Sequence, residues 1–155
     1  MPQRDALHNL VKQALIKSGW EITDDPYIIN IGKRSLYVDI GALEASSHGQ
    51  REGQILGAQR EGRRIAIEVK EFRGPSAITD LERAIGQYVL YRLLLNKLDP
   101  EREIYLAVTN RIYKRIFSEP IGQVVINDLP LHLLVINLEN VEVQQWIPPQ
   151  PIVTF

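Results

Sequence analysis

The most informative stretch of the sequence is Ile65-Ala66-Ile67-Glu68-Val69-Lys70, a β-favouring run that carries two opposite charges. Side chains alternate between the faces of a strand, so its three β-branched residues would share one face and Glu68 and Lys70 the other. Burying a charge costs free energy unless the group is paired or binds a metal. The run therefore predicts a strand whose charged end forms either a functional site or an ion pair.

Upstream of this strand the chain changes from a helical to a β pattern. Apolar residues at helical spacing over 5–17 predict an amphipathic helix. Tyr27–Ile31 and Leu36–Ala42 are typical of the two arms of a hairpin, and in the second arm Asp39 faces away from the apolar side. Residues 43–62 hold four glycines, two serines and mixed charge, so we expect a loop insertion there.

Downstream of the strand the longest pattern is helical. Thr79-Asp80-Leu81-Glu82 has capping-box spacing, and the apolar pattern continues to about Leu98. The second half of this helix is apolar almost all round, which predicts that it is well buried. The remaining apolar runs predict three strands and two helical stretches: 104–109, 131–138 and 141–147 for the strands, 111–117 and 121–127 for the helices.

Together these elements predict a single α/β (α+β) domain over 1–147, with a mixed central sheet flanked by helices and a Pro-rich tail at 148–155. The 155 residues are 45% hydrophobic and carry a net charge of −1, which excludes a protein that coats DNA through a basic excess. No cysteine is present, which excludes disulfides and thiolate metal sites. Because the N-terminus also lacks a signal-peptide pattern and no apolar run would span a bilayer, we expect a cytoplasmic protein with no membrane partner.

Asp39, Glu68 and Lys70 form a workable set for hydrolysis of a phosphodiester. The two carboxylates would hold Mg²⁺ or Mn²⁺ with several waters retained, and the metal would lower the pKa of a bound water. Lys70 would orient that water or stabilise the charge that develops on phosphorus. The alternative is that the strands lie at a sheet edge, with an exposed Glu68–Lys70 pair and a solvated Asp39.

Further polar residues surround this set in the sequence. Gln87 and Tyr91 lie one turn apart on the long helix, and a glutamine on so apolar a helix needs a partner for its amide. Four arginines flank the proposed site, and they either grip phosphates or are surface charges paired with nearby glutamates: Arg60, Arg63, Arg64 and Arg73.

In chain order, Asp39, Glu68-x-Lys70 and Gln87-x-x-x-Tyr91 resemble the PD-(D/E)xK nuclease superfamily, the last element its RecB-like branch. More narrowly, the chain is similar to the XisH family, the fdxN-element excision controlling factors of cyanobacteria. The likeness runs from about residue 3 to Trp146 and rests on these segments: Asp5–His8, Ala14–Trp20, Tyr37–Ala42, Ile65–Phe72, Gly86–Arg92 and Tyr105–Val108.

The resemblance implies a restriction-endonuclease-like, or Holliday-junction-resolvase-like, core. It implies that Asp39 and Glu68 are the metal ligands for Mg or Mn and that Lys70 is the catalytic lysine. Supporting or DNA-contacting roles would fall to Gln87, Tyr91, Asp5 and His8. Arg73 joins this supporting set because it flanks the site, and not through the resemblance. Two departures stand out: Val38 replaces the proline that names the first motif, and 28 residues separate Asp39 from Glu68, so Glu44 is an alternative first ligand.

The resemblance also implies a role in programmed excision of DNA, with DNA, an XisI-like companion and a site-specific recombinase as partners. Two interpretations stay open: a metal-dependent endodeoxyribonuclease, or a non-catalytic accessory protein that keeps the nuclease fold to bind a partner protein or DNA. The apolar stretch 121–138 would also suit the interface of a homo-oligomer.

Overall fold

The structure is a computed structural model that describes residues 2–45 and 62–150, with side chains from residue 6 onward. Its helices are α1 (Pro2–Lys17), α2 (Ala77–Leu98), α3 (Asn110–Ile112), which continues as a π-helical turn (Tyr113–Phe117), and α4 (Pro120–Asp128). Its strands are β1 (Trp20–Asp24), β2 (Tyr27–Ile31), β3 (Arg34–Val38), β4 (Ile40–Glu44), β5 (Arg64–Val69), β6 (Arg102–Thr109), β7 (Leu133–Asn137) and β8 (Glu142–Ile147). None of the helices in these ranges is long and apolar enough to cross a membrane.

Six of the strands form one mixed sheet in the order β1-β4-β5-β6-β7-β8. The central strands β5, β6 and β7 are parallel, and the pairs toward both edges are antiparallel. Parallel neighbours need crossover connections, which α2 supplies between β5 and β6 and the α3–α4 segment supplies between β6 and β7. The predicted fold class, a mixed sheet flanked by helices, is confirmed.

Each face of the sheet has its own hydrophobic core. Ile65 and Ile67 pack with α1 on one face, whereas Ala66 packs with α2 and the π-helical turn on the other. A strand covered on both faces is apolar at successive positions, which explains why β5 lacks a polar side. Glu68, two residues after Ala66, shares the α2 side of the sheet and lies at the end of the strand.

β2 and β3 form the predicted hairpin, but as a separate two-stranded sheet. The single strand predicted over Leu36–Ala42 is wrong, because β3 ends at Val38 and β4 begins at Ile40. At the break, the Asp39 carboxylate accepts the backbone N–H of Val69 at 2.8 Å. The strand β1, which the sequence did not predict, pairs with β4 at the edge of the main sheet.

α2 begins earlier than the capping-box pattern predicts. Ser76 is the cap: its Oγ accepts the backbone N–H of Thr79 at 3.2 Å, and the helix starts at Ala77. Asp80 reaches back and accepts the N–H of Gly74 at 2.8 Å. The predicted Thr79 cap is wrong because Ser76 offers the same kind of side-chain acceptor three residues earlier.

The second half of α2 is not buried on all sides, contrary to the prediction. Its core-facing residues form one stripe, and Leu90 and Leu93 on the outer side are 45% and 56% exposed. Apolar composition alone does not tell how many neighbours a helix has, and α2 has the sheet on one side only. The outer side therefore presents apolar surface to solvent.

Candidate active site

The carboxyl end of β5 meets the junction between β3 and β4. Because β4 is antiparallel to β5, with Ile40 opposite Ile67, the residue before β4 lies beside the last residues of β5. The backbone N–H of Asp39 donates to Glu68 Oε1 at 3.3 Å, and Asp39 Oδ2 accepts from Val69 N at 2.8 Å. These two bonds fix both carboxylates at one end of the strand.

Lys70 completes the group that the sequence predicted. Its Nζ lies 3.6 Å from Glu68 Oε2, and its backbone N–H donates to the carbonyl of Ala107 at 3.0 Å, which continues the pairing with β6. Glu68 is only 5% exposed, and β5 lies between β4 and β6. The alternative of an exposed pair at a sheet edge is therefore wrong.

In the cluster of Asp39, Glu68 and Lys70, the single lysine does not fully compensate the negative charge of the two carboxylates. Burial of the carboxyl, followed by the charge of Asp39, raises the pKa of Glu68 from 4.5 to about 7. Lys70 and the backbone N–H of Asp39 lower it, but they do not offset the other two effects. A further positive charge beside the two carboxylates would favour their ionised forms.

An open pocket of about 620 Å³ lies beside the cluster. It is lined by His8, Asp39, Val69, Lys70, Glu71, Arg73 and Gly74. Arg73 lies 3.1 Å from Glu71 in a partly exposed ion pair, the kind of pairing that the sequence left open. The structure thus brings His8 and Arg73 to the predicted catalytic set. Glu71 also lines this pocket, although the sequence pattern did not indicate a role for it in the site.

His8 is held at the pocket by a residue that the sequence did not single out. Its Nε2 lies 2.8 Å from Asp25 Oδ1, and Lys12 Nζ lies 2.6 Å from Asp25 Oδ2. Burial raises the pKa of Asp25, but the hydrogen bonds from Lys12 and His8 outweigh it and lower the pKa overall. The one-turn spacing of His8 and Lys12 was the available signal. The side chain of Asp5 lies outside the described residues.

Tyr91 approaches the cluster from α2, and Gln87 lies one turn before it on the same helix. Burial and the charges of Glu68 and Asp39 raise the pKa of Tyr91 to about 12, so its hydroxyl stays protonated. That hydroxyl donates to the carbonyl of Tyr37 at 3.5 Å. One turn earlier, the buried Oε1 of Gln87 has no hydrogen-bond partner among the described residues. It is an acceptor available to a ligand or a water.

Two of the predicted arginines and the alternative ligand lie at the opposite end of β5. Arg64 begins the strand and pairs with Asp99 at 3.0 Å, and the carbonyl of Arg63 accepts the N–H of Glu44 at 2.8 Å. The prediction that Arg63 and Arg64 flank the site is wrong, and Glu44 is too far along β4 to replace Asp39. Arg60 lies outside the described residues.

The donor set of the cluster meets the needs of the implied metal only together with water and substrate. Within residues 6–45 and 62–150, no group of three or more His, Cys, Asp or Glu side chains is placed to hold a metal ion. Mg²⁺, however, keeps several waters and takes one or two carboxylates together with substrate phosphates. Asp39 and Glu68 supply two hard oxygen donors whose mutual repulsion a cation would relieve. The residues therefore fit Mg²⁺ or Mn²⁺ as a shared site with substrate, and not as a closed protein cage.

The chain is similar to proteins of one family over nearly its whole length. The family model described as XisH protein matches residues 1–144. The crystal structure of a fdxN element excision controlling factor protein from Anabaena variabilis is 37% identical and has a TM-score of 0.76, covering 92% of this chain and 98% of that one. That of an XisH family protein from Nostoc punctiforme is 36% identical with a TM-score of 0.73, covering 90% and 96%. No curated protein sequence matches the chain.

The matched range includes every residue of the cluster, from Asp39 to Tyr91. Both solved structures are covered almost end to end, so the shared unit is the whole fold and not a fragment of it. The family resemblance predicted from the sequence is confirmed, and the chain belongs to the XisH family.

Proposed function

We propose that this XisH-family protein is a metal-dependent endodeoxyribonuclease of the PD-(D/E)xK type. One observation carries the proposal: Asp39, Glu68 and Lys70 meet at one strand end beside an open pocket, in a cluster whose two carboxylates repel one another. Structural ion pairs also perturb pKa values, but they neutralise the carboxylates they hold. Here the neutralisation is incomplete, which suits a site that takes up a cation.

The side chains of the chain have distinct tasks in this reaction. Asp39 is oriented by the N–H of Val69, which binds Oδ2 and leaves Oδ1 without a hydrogen bond among the described residues. Bound Mg²⁺ or Mn²⁺ would supply a water of lowered pKa and neutralise charge on the scissile phosphate. Lys70 stabilises the charge that develops on phosphorus, because its ammonium is the cation that the cluster itself supplies.

The pocket wall binds the nucleic-acid backbone. Arg73 and His8 line the same pocket as Lys70, and their side chains would contact backbone phosphates near the cleaved bond. Gln87 offers its unpaired Oε1 to a water or a nucleotide from the α2 side. With a net charge of −1 the protein has little general affinity for DNA, so binding depends on these local contacts.

The biological setting follows from the relatives. The Anabaena variabilis protein is described as a fdxN element excision controlling factor. By extension we propose that this chain controls the excision of a DNA element, acting with a site-specific recombinase and an XisI-like companion. Cleavage would then be one step of a programmed rearrangement.

A second function is favoured by the small donor set. Within residues 6–45 and 62–150, no third His, Cys, Asp or Glu side chain joins Asp39 and Glu68 in a group that could hold a metal ion. A protein that retains the fold but works by binding DNA or a partner protein requires no complete metal site. The two functions differ in a single measurable property, the hydrolysis of DNA.

The test uses supercoiled, linear, branched and single-stranded DNA with Mg²⁺ or Mn²⁺. We expect cleavage that falls by about 10²–10³-fold in Lys70→Ala, the usual loss when one charge-stabilising donor is removed. The matched control is Lys114→Ala, which removes an exposed lysine from the π-helical turn and should leave the rate unchanged. DNA binding without hydrolysis under all metal conditions would refute the nuclease and favour the accessory protein.

A further inference from the structure

The outer face of α2 departs from the polar surface that an exposed helix normally has. The core-facing stripe consists of Leu81, Ala84, Tyr88, Tyr91 and Leu95. On the opposite side lie Glu82, Gly86, Leu90, Leu93 and Lys97. In a helix with 3.6 residues per turn these five positions form one continuous stripe, which we call the outer stripe. It is apolar in the middle and charged at both ends.

Gly86, in the centre of the outer stripe, is unexplained in the isolated chain. A Cβ built at this position meets nothing within 4 Å, so a larger residue would fit. Its backbone lies in the interior of a helix and not in the left-handed region that favours glycine. Glycine is among the poorest residues for a helix interior. Its presence is explained if another molecule approaches the helix closely here.

The outer stripe is complementary to itself when it is reversed. Glu82 and Lys97 lie equally far from the point between Val89 and Leu90, on opposite sides of it, and so do Gly86 and Leu93. The distances are about 11 Å and about 5 Å along the axis at 1.5 Å per residue. An acidic end therefore meets a basic end, and a recess meets a protruding side chain.

We propose that α2 pairs in antiparallel fashion with α2 of a second copy of this chain. The two-fold axis passes between Val89 and Leu90. Leu90 meets the partner's Leu90 near the axis, Gly86 receives the partner's Leu93, and Glu82 pairs with the partner's Lys97. Helices whose contact includes a small residue approach more closely, which gives the two leucines on each helix better contact.

Charge and symmetry favour a second copy over a different protein. A two-fold interface requires that each contact occurs twice, with the two residues exchanged between the subunits. The outer stripe meets this requirement twice, because it contains both members of the Glu82–Lys97 pair and both members of the Gly86–Leu93 pair. To bind a different protein, the stripe would need only one member of each pair. Glu82 and Lys97 form no ion pair within the described residues, so both are available.

Sedimentation equilibrium of the full chain, from about 1 µM to about 1 mM, tests the proposal in the range typical of small interfaces. We expect a reversible monomer–dimer equilibrium. Leu93→Lys should abolish it, whereas Val124→Lys should leave it intact. The two side chains are matched, since Leu93 is 56% exposed on α2 and Val124 is 57% exposed on α4.

Gly86→Leu should have opposite effects on the stability of the monomer and on dimerisation. It should raise the melting temperature of the dilute monomer, because leucine is the better helix former, and it should weaken dimerisation at least about tenfold by filling the recess. If the fold of the monomer itself required glycine at position 86, Gly86→Leu would lower the melting temperature and would have no selective effect on dimerisation. An unchanged dimer constant in Gly86→Leu would contradict the proposed contact.

A charge exchange identifies the partner as a second copy. Glu82→Lys and Lys97→Glu should each dimerise poorly alone, because like charges then face one another, and an equimolar mixture of the two should associate. A chain that stays monomeric up to the highest concentration, or a mixture that fails to associate, would overturn the proposal. None of these measurements involves DNA, so the result is independent of the proposed nuclease activity.

Discussion

Replacing Glu68 by glutamine should stabilise the protein at neutral and alkaline pH. The folded-state pKa of Glu68 is raised from 4.5 to about 7, so the folded protein binds this proton more tightly than the unfolded chain does. At low pH the carboxyl is neutral in both states and has no effect. As the pH rises from 4.5 toward 7, the wild-type protein loses stability, and above pH 7 the full loss persists.

The size of the effect follows from the two pKa values. At ~1.4 kcal/mol per pKa unit, the difference between 4.5 and about 7 corresponds to ~3 kcal/mol. For a chain of 155 residues this is a rise in melting temperature of roughly 6–12 °C. The folded-state pKa of Glu68 already includes the attraction of Lys70. The loss of the Glu68–Lys70 ion pair in Glu68→Gln therefore does not reduce the predicted gain in stability any further.

Urea titrations of wild type and Glu68→Gln at a series of pH values, without divalent cations, measure this difference. The two curves of unfolding free energy should agree near pH 4 within ~1 kcal/mol and separate between pH 4.5 and 7. Glu71→Gln, on the same pocket wall but in a partly exposed pair with Arg73, is the matched control and should show no such separation.

The opposite result would refute the reasoning. If Glu68→Gln is less stable than wild type at pH 8, the Glu68–Lys70 pair is a net stabilising ion pair and the cluster does not need a cation. Added Mg²⁺ gives a second comparison. At ten times its dissociation constant it should stabilise wild type by about 1.4 kcal/mol, with a smaller gain for Glu68→Gln, which lacks one ligand.

Two further predictions concern the scaffold around the site. Gly122→Ala should destabilise the protein by about 2 kcal/mol or more in urea unfolding, because a Cβ at this position overlaps the backbone of Ile116 and Phe117. Gly86→Ala, with open space around it, is the control and should have the opposite sign. Ser76→Ala should cost about 1 kcal/mol, because it removes the acceptor of the Thr79 N–H. Thr79→Ala should change stability by less than half of that, and equal effects would restore Thr79 as the cap.

The sequence was sufficient for the strands and helices whose neighbours are close in the chain. The β-favouring run of β5 and the hairpin turn after Ile31 are local patterns, and both elements are present in the structure. The break at Asp39 was not predictable, because it depends on a hydrogen bond to Val69, thirty positions away in sequence. The ion pair between Arg64 and Asp99 was not predictable either, because it depends on the parallel pairing of β5 with β6, which brings the two residues together.

The candidate site was predicted in composition but not in arrangement. Asp39, Glu68 and Lys70 were chosen because charged residues interrupt apolar strands, and the structure brings them together. Asp25 was missed because its role depends on how the turn before β2 packs against α1.

We expect two positions to lower the stability of the isolated chain, for related reasons. Glu68 is a buried carboxyl beside another carboxylate, and Gly86 is a glycine in an open stretch of helix. Proteins depart from local stability rules where a function requires it. A bound cation would remove the repulsion at Glu68, and a second copy of α2 would use the space at Gly86. Glu68→Gln and Gly86→Leu should therefore both stabilise the dilute, metal-free monomer. Glu68→Gln should also reduce the stabilisation by Mg²⁺, and Gly86→Leu should weaken dimerisation. This pattern would assign the lower stability at Glu68 to metal binding and that at Gly86 to binding of a second copy.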